Sequence, residues 1–400
     1  MKKVISVIVL LSVLSGCLTL QNSNPYERSL CTLTVKAVYP GSYSSSTRAG
    51  VPVEVEDINQ GSRYLASTGE DGTVSLQLLR GLYRITIQDE QTIGIFNGSV
   101  DRYKFTRDGT VEVPLSFAKT SRLVFKEIYC GGCMKTPEQG TYQADQYVIL
   151  HNNSAEDYYL DKLCIGTLAP YNSNSNNPYG NPPADYLPVI QSIWQFPGDG
   201  RSFPLKPGAD AVVCFRGAID HSKTYPESVN LNKEGYFVCY NQNYFPNPSY
   251  HPTPGDRISS DHYLDVVIKV GQANAYTLSI NSPVLVAFTE PADTSMRDYV
   301  NMEGAIEQLP GSNTDRVVKI PFRWVEDAVE VFNGSSSSNS KRLLPSLDAG
   351  YITLTATFLG HTLFRYTDEE KSGAAGYEVL KDSNNSSVDF YERTRQSLHD

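Results

Sequence analysis

The sequence lacks the motifs that mark the commonest hydrolases. Its 400 residues contain no Gly-x-Ser-x-Gly motif and no His-Glu-x-x-His motif. Two of the six histidines, His221 and His262, follow an Asp and could belong to a scattered triad, so these absences are partial evidence. The sequence shows no motif that would bring an acid, a base and a nucleophile together. We therefore predict a protein without catalytic activity, and we interpret both histidines as surface or hydrogen-bonded residues.

A second absence is that of any long apolar run beyond the first 16 residues. The chain begins with two lysines, continues with an apolar run over 4–14 and reaches Leu14-Ser15-Gly16-Cys17. This run is too short to span a bilayer, and with its flanks it is typical of a secretory signal. We predict a signal peptide over 1–16.

The last four residues of that segment resemble a bacterial lipobox. In a lipobox the cysteine thiol is acylated, the chain is cut before it, and the new amino group is acylated too. Two or more acyl chains give stable anchoring, because each buried methylene contributes about 0.8 kcal/mol. The resemblance implies lipid attachment at Cys17, followed by a polar tether over 17–30. The alternative is an ordinary signal peptide whose cysteine enters a disulfide.

Net positive charge is also missing. The formal charge is −10, and removing the signal peptide with its two lysines makes it −12, because no acidic residue precedes Cys17. An acidic surface argues against nucleic acid or an anionic membrane face as the ligand. The chain is instead rich in residues of strands and turns, with 26 Tyr, 15 Phe, 29 Gly and 23 Pro, which favours a β-rich extracytoplasmic body.

Six cysteines remain after Cys17. They are Cys31, Cys130, Cys133, Cys164, Cys214 and Cys239. An even number in an oxidising compartment permits three disulfides, among pairings that the sequence does not distinguish. Cys130 and Cys133 could also hold one side of a zinc site or form a redox pair. A second short-spaced pair and a helical setting are missing, so we interpret them as disulfide cysteines, paired with each other or with other cysteines.

Residues 31–118 consist of short alternating runs interrupted by Gly, Pro and Asp. Every second residue of 33–37 is apolar, a pattern that places one strand face in a core and one in water. The Asp71-Gly72 step suits a tight turn, because Gly accepts a positive φ. About seven such strands predict a small sandwich. The runs 50–55, 68–72 and 79–85 resemble the regulatory-like domain first described in carboxypeptidases, which implies a spacer or interaction module.

A second block begins at Arg122. Its runs 123–129, 146–154 and 158–166 resemble the lamin-tail type of immunoglobulin-like domain. More closely, 122–390 is similar to a family of Bacteroidetes outer-membrane lipoproteins without an assigned function, which combines these two β-domains. The similarity is carried best by the runs 341–344, 347–351 and 382–390.

These patterns together predict an all-β protein. We expect two immunoglobulin-like β-sandwich domains in tandem, over 31–118 and 122–390, the second enlarged by long loop insertions, and a C-terminal tail over 391–400. Short helices are predicted over 184–194 and 296–308, both within insertions.

The run 382–389 holds two carboxylates and two adjacent Asn amides, enough oxygen for calcium. It lacks the glycine of a calcium loop, so we interpret it as a structural turn that leads Phe390 into the core. We predict no bound metal and no cofactor.

The two longest insertions, 171–188 and 240–257, combine aromatic rings with amide groups. Their candidate binding residues are Tyr171, Asn174, Tyr179, Tyr186, Tyr244, Phe245 and Tyr250. Aromatic side chains lose little rotamer entropy on contact, and Asn and Ser adapt their hydrogen bonds, so such loops suit a partner protein, peptide or glycan. The alternative is that they are surface loops without a ligand.

The family resemblance implies a lipid-anchored, non-catalytic accessory protein of the outer membrane that assists TonB-dependent nutrient uptake. A possible partner is the TonB-dependent transporter itself, and a possible ligand is a glycan or peptide. The alternative is a structural or adhesive surface protein that binds cells, matrix or glycans through the same loops. Leu18 permits sorting to the outer membrane by the rule of enteric bacteria. The acidic run that marks surface-exposed Bacteroidetes lipoproteins is missing, so the membrane face stays open.

Overall fold

The computed structural model describes residues 30–41, 43, 48–91, 94–118, 120–334 and 337–399. The predicted signal peptide, Cys17 and all but the last residue of the predicted tether lie outside the described residues. In the described part of the chain, no helix has the length and apolar character needed to cross a membrane.

Residues 30–118, the N-terminal region, form two sheets around one core. The strands are β1 (Cys31–Val38), β2 (Pro52–Asp57), β3 (Arg63–Ser67), β4 (Thr73–Leu78), β5 (Gly81–Gln91), β6 (Gly94–Phe105), β7 (Gly109–Pro114) and β8 (Ser116–Ala118). One sheet has the order β4-β1-β7 and the other β3-β2-β5-β6-β8. The predicted alternation is confirmed in β1, where every second side chain is buried. The predicted turn is confirmed as well, since Gly72 has a φ of 73°.

Residues 120–399, the C-terminal region, contain the remaining strands and a few short helices. The strands are β9 (Leu123–Tyr129), β10 (Cys133–Met134), β11 (Thr141–Tyr142), β12 (Tyr147–Asn152), β13 (Tyr158–Tyr159), β14 (Cys164–Leu168), β15 (Tyr186–Gln195), β16 (Pro204–Leu205), β17 (Asp210–Cys214), β18 (Phe237–Val238), β19 (Asp265–Lys269), β20 (Val284–Phe288), β21 (Ile306–Gln308), β22 (Arg316–Pro321), β23 (Val325–Asn333), β24 (Ile352–Leu354), β25 (Thr362–Arg365) and β26 (Phe390–Arg393). The α-helices are α1 (Met296–Tyr299), α2 (Glu369–Ala375) and α3 (Ser386–Asp389), and 3-10 turns span His221–Lys223, Ser260–His262, Phe322–Trp324 and Ser397–His399. The structure is therefore all-β, as predicted.

Two large sheets of the C-terminal region pack face to face. One has the order β18-β17-β12-β9-β25-β26, and the other has the order β21-β22-β15-β14-β20-β23-β24, with β19 beside β15. The core between them includes Phe125, Trp194 and Val329. Each sheet also buries its outer face, one beneath a cluster with Met296 and the other beneath a cluster with Leu231. When a strand is covered on both faces, its sequence is a continuous apolar run and does not alternate between apolar and polar residues.

The helix predicted over 184–194 is wrong, because this segment is the central strand β15. Its inner and outer faces are both covered, so its apolar residues do not show the alternation of a half-exposed strand. The segment belongs to the large sheet and not to an insertion. The helix predicted over 296–308 is right only at its start: α1 covers four residues, and β21 occupies the end of the segment.

The two regions contact each other through a buried arginine of β5. The Arg84 guanidinium donates to Glu56 and to Asp101, at 2.8 Å each. It also lies over the Tyr351 ring of the C-terminal region, 4.5 Å from the ring centroid. The Tyr351 hydroxyl donates to the same Glu56 carboxylate at 2.6 Å. Charge-assisted bonds and a cation–π contact therefore fix the two regions against each other.

A second buried arginine, Arg342, ties three segments of the C-terminal region together. Its Nε donates to Glu330 at 3.0 Å, and both side chains are inaccessible to solvent. Its terminal nitrogens donate to the carbonyls of Pro170 at 3.2 Å, Ser282 at 2.9 Å and Val331 at 2.9 Å. One guanidinium thus satisfies four acceptors that burial would otherwise leave unpaired.

We predict that Arg342→Met lowers the free energy of unfolding by about 3–5 kcal/mol, because it breaks a buried ion pair and removes the donor to three carbonyls, while Glu330 keeps only Lys341 as a cationic partner. Urea denaturation of the full chain measures the change. The control is the exposed Arg80→Met, for which we expect a change within about 0.5 kcal/mol. A loss below about 1 kcal/mol for Arg342→Met would contradict the assignment.

Candidate ligand-binding cleft

The candidate site lies where β15 changes its neighbour within the large sheet. One edge of β15 pairs with β14, at Val189 and Ile190 and again at Trp194 and Gln195. The other edge pairs with β22 over Tyr186–Val189 and with β19 over Ser192–Gln195. Ile190 and Gln191 lie between these two neighbours. Because β19 ends and β22 begins at this point, the sheet opens into a cleft.

Gln191 forms the floor of the cleft in an unusual backbone conformation. Its φ is 63°, which non-glycine residues rarely adopt. Its carbonyl accepts the N–H groups of Val270 at 2.9 Å and Gly271 at 3.1 Å, and its side chain donates to the Thr277 carbonyl at 3.0 Å. A Cβ on Gly271 would lie 3.1 Å from the Gln191 Cα, so a larger residue would crowd this floor. Such conformations often occur at functional sites.

Both long insertions contribute to this cleft, whose volume is about 670 Å³. The first supplies Tyr171, Asn176 and Pro178, and the second supplies Phe245. The rest of the lining comes from the segments around β15, β19 and β22: Ala169, Pro170, Ile190, Gln191, Lys269, Gly271, Gln272, Ala273, Ala275, Thr277, Leu309, Pro310, Gly311, Ser312, Asp315 and Arg316. Clefts of this size, with mostly apolar walls and a few polar groups, are typical of sites for small ligands.

The first insertion begins in a fixed position. The Tyr171 hydroxyl lies 2.9 Å from the Thr277 Oγ1. The next residues are held as well, since Ser279 donates to Asn172 at 2.6 Å and Ser173 donates to Asn339 at 2.6 Å. The cleft wall at Tyr171 is therefore preformed.

Of the seven predicted loop residues, Tyr171 and Phe245 line the cleft. Tyr179 and Tyr186 instead donate to one Glu307 carboxylate, at 3.3 Å and 2.5 Å. Neither lines the cleft, so their interpretation as binding residues is not supported there.

The other three predicted residues also lie outside the cleft lining. Tyr244 is exposed, but its carbonyl accepts a bond from Lys269 at 3.0 Å, so it positions a cleft residue. The Tyr250 ring lies beneath the Arg216 guanidinium, 4.3 Å from its Cζ, and Asn174 is exposed to solvent.

Four polar residues of the cleft were not predicted from the sequence, namely Gln191, Lys269, Asp315 and Arg316. A Pro-Gly turn at 310–311 between two apolar runs indicates the hairpin that ends at Arg316. Gln191 gave no comparable sign, because only the sheet pairing shows that β15 changes its neighbour there.

The structure does not support the three predicted disulfides. Cys130, Cys133, Cys164, Cys214 and Cys239 are buried as free thiols, and Cys31 is buried in the core of the N-terminal region. Five of the six cysteines are distributed among four separate apolar clusters, where each packs as a small apolar residue, whereas the buried Cys133 lies beside the Asp145 carboxylate.

The closely spaced pair also shows no reactive thiol. Burial raises the pKa of Cys130 to about 12, and burial together with the neighbouring Asp145 carboxylate raises that of Cys133 to about 12. The Cys133 Sγ lies 3.6 Å from the Asp145 Oδ2. Both thiols are therefore protonated at neutral pH, which disfavours nucleophilic and redox chemistry. Among the described residues, no group of three or more His, Cys, Asp and Glu side chains could hold a metal ion.

The two histidines that follow an Asp make structural contacts. The His221 Nε2 lies 2.8 Å from the Gly217 carbonyl oxygen, so it carries the proton, and Nδ1 accepts from the Tyr142 hydroxyl at 2.6 Å. Burial lowers the pKa of His221, which keeps the ring neutral. His262 bonds to the adjacent Asp261 at 2.8 Å and packs on aromatic rings. These contacts agree with the hydrogen-bonded interpretation.

The run 382–389 forms the structural turn that we predicted. Asn385 caps α3, and Phe390 directly after it lies in the core. The two carboxylates of the run, Asp382 and Asp389, lie 3.5 Å and 3.6 Å from the buried Arg365 guanidinium. Arg365 also binds Asp327 at 2.6 Å, so three carboxylates share one guanidinium.

This excess of negative charge makes stability depend on pH. Burial, together with the nearby Asp382 charge, raises the pKa of Asp389 to about 6 and that of Asp327 to about 7. In the unfolded chain the pKa of each of these carboxyls is about 3.9. At pH values between the unfolded and the folded pKa of these two carboxyls, the folded protein binds more protons than the unfolded chain. The contribution of the cluster to stability therefore falls as pH rises.

We predict that Asp382→Asn reduces the loss of stability with rising pH, because it removes a charge that disfavours ionisation of Asp327 and Asp389. Relative to the unchanged protein, the variant should gain about 1 kcal/mol of unfolding free energy on going from about pH 5 to about pH 8. Urea denaturation at both pH values measures the difference. The exposed Asp293→Asn serves as the control, and a variant whose pH dependence matches that control would refute the prediction.

Comparisons with known proteins bear on the C-terminal region. Residues 206–397, just under half of the chain, match a family model. That family is described as protein of unknown function, DUF4876. The DUF4876 match includes the runs 341–344, 347–351 and 382–390, which carry the resemblance best in the sequence.

A solved structure supports the same relationship. It is a crystal structure of a DUF4876 family protein from Bacteroides thetaiotaomicron VPI-5482, which is 25% identical to this chain, with a TM-score of 0.59. The alignment covers 92% of this chain and 95% of that protein. The predicted similarity to a Bacteroidetes family of unassigned function is thus confirmed.

A second structure, the TIE protein of Bacillus anthracis, is 11% identical over 73% of this chain and 48% of that protein. Its TM-score of 0.16 is too low to indicate a shared fold. No curated protein matches the chain.

Proposed function

We propose that this chain is a lipid-anchored, non-catalytic binding protein of the outer membrane that assists a TonB-dependent transporter in nutrient uptake. In this proposal Cys17 carries the lipid anchor, and two immunoglobulin-like domains hold the cleft away from the membrane. The ligand occupies the cleft between the two insertions.

The observation that carries the proposal is the convergence of both insertions on one cleft. Tyr171 and Phe245 come from loops more than 70 residues apart, yet both line the same 670 Å³ space. Surface loops without a ligand need not share a site, whereas a binding site requires walls from several segments. The convergence therefore favours the binding interpretation of the loops.

The chemistry of the described residues fits binding better than catalysis. The buried thiols at Cys130 and Cys133 are protonated, and both ring nitrogens of His221 are engaged. The cleft lining contains neither a histidine nor a cysteine. It offers amide, hydroxyl and charged groups within apolar walls, a composition suited to orienting a ligand.

We predict that Cys17→Ala abolishes labelling by a radioactive fatty acid and releases the chain from the outer membrane, because the thiol is the acylation site. Pull-down from detergent-solubilised outer membranes should recover a barrel transporter with the unchanged chain and much less with Cys17→Ala. Cys31→Ala is the control and should keep both the label and the partner. Recovery of no specific transporter by the acylated chain would count against the proposal.

We also predict that Gln272→Trp abolishes ligand binding by filling the cleft. Gln272 is an exposed lining residue, so a larger side chain there should leave the fold intact. The measurement is binding of the full chain, with Cys17→Ala to prevent acylation, to arrays of glycans and short peptides.

The matched control is Asn274→Trp, two residues away, exposed and outside the lining. It should bind as the parent does. If both tryptophan variants bind equally well, the ligand occupies another surface and the cleft proposal fails.

A further inference from the structure

The cleft has a charge opposite to that of the whole chain. The protein carries a formal charge of −10, but the cleft lining contains two cations, Lys269 and Arg316, and one carboxylate, Asp315. Asp315 already accepts a bond from the Ser312 hydroxyl at 3.1 Å. Among the described residues, neither cation forms an ion pair with a carboxylate. The cleft is therefore a locally positive site on an acidic protein.

The position of these cations follows from the opening in the sheet. Lys269 is the last residue of β19 and Arg316 is the first residue of β22. Both strands pair with the same edge of β15, one after the other, so their adjoining ends bring both cations to the cleft. A sheet without this interruption would have placed other strand residues at that point.

Lys269 is held in place while much of its hydrogen-bonding capacity stays available. Its ammonium donates to the Tyr244 carbonyl at 3.0 Å and lies 5.1 Å from the centroid of the Phe245 ring. Phe245 is itself buried and stacks on Trp194, with 5.4 Å between ring centroids. An ammonium has three donors, so two remain for a ligand. A fixed cation loses little entropy when it binds an anion.

A large part of the cleft lining is apolar. Nine lining side chains are aliphatic, proline or aromatic without a polar atom: Ala169, Pro170, Pro178, Ile190, Phe245, Ala273, Ala275, Leu309 and Pro310. A sugar carries hydroxyl groups around its ring, and those that faced the apolar part of the lining would lose their hydrogen bonds to water without gaining others. An apolar body would bury this surface with a favourable free energy.

We propose that the cleft binds a small amphipathic anion, a molecule with an apolar body and one acidic group. The acidic group binds Lys269 and Arg316, and the apolar body lies against Ile190, Phe245 and Pro310. This inference rests on the proposed function, because it names the ligand class of the same cleft.

Two fluorescent probes with the same apolar body test the inference. Anilinonaphthalene sulfonate carries an acidic group, and phenylnaphthylamine lacks it. Titration of the full chain with Cys17→Ala should give tighter binding of the sulfonate by about tenfold or more, since charge-assisted hydrogen bonds to the two cations are stronger than neutral ones. Lys269→Met and Arg316→Met should each weaken sulfonate binding by about tenfold and leave phenylnaphthylamine binding unchanged.

Arg80→Met is the matched control, because it removes the same charge from an exposed site in the N-terminal region. It should change neither affinity. Gln272→Trp should remove binding of both probes and thereby locate them in the cleft. Equal effects of Arg80→Met and Lys269→Met would mean that only net charge matters, which would overturn the inference.

The outcomes separate this inference from the proposed function. If both probes bind equally and Gln272→Trp removes both, the cleft binds apolar ligands without regard to charge, so the proposed function stands and the inference fails. If Gln272→Trp affects neither probe, the cleft is not the binding site and both proposals fail.

Discussion

The buried Arg342–Glu330 pair is the interaction on which the arrangement of the C-terminal region depends. Taking a guanidinium and a carboxylate out of water is costly, so the pair persists only where further hydrogen bonds satisfy both groups. Here the surplus donors of Arg342 reach the carbonyls of Pro170 and Ser282. Pro170 directly precedes Tyr171, so this guanidinium helps to fix the start of the first insertion, together with the contacts of Tyr171, Asn172 and Ser173.

The same carboxylate links the cleft to the contact between the two regions. Glu330 also binds Lys341 at 2.8 Å, and the Lys341 ammonium donates to the Asp348 carbonyl at 2.9 Å. Asp348 in turn accepts the Glu330 N–H at 3.0 Å, and Tyr351, three residues later, binds Glu56 of the N-terminal region. The runs 341–344 and 347–351, which carry the family resemblance, are thus parts of one buried polar network. Within these runs, pairing of buried charges and hydrogen-bonding groups explains the residue types at Lys341, Arg342 and Asp348.

The sequence predicted the fold best where strands have one exposed face. In the N-terminal region the alternation of β1 was visible because its polar residues face solvent. The prediction failed at β15, where outer clusters cover the second face and remove the alternation. Likewise, the composition of the insertions indicated Tyr171 and Phe245, but Lys269 and Arg316 could not be found. Their proximity arises from two strands that pair with β15 in succession, and strand pairing between distant segments is not encoded in local composition.

The preformed first wall of the cleft helps to distinguish the two functional hypotheses. Adhesive loops that adapt to varied surfaces gain from rotatable, weakly held side chains. Here Tyr171 is held by Thr277, and Asn172 by Ser279, before any ligand arrives. Because this wall is already ordered, little conformational entropy is lost when a ligand binds. Such a fixed surface suits a ligand of defined shape better than an extended and variable surface. The left-handed backbone at Gln191 also indicates a rigid cleft, because such a conformation persists only where several contacts hold it. This geometry therefore supports our proposal of a discrete ligand over the adhesive alternative.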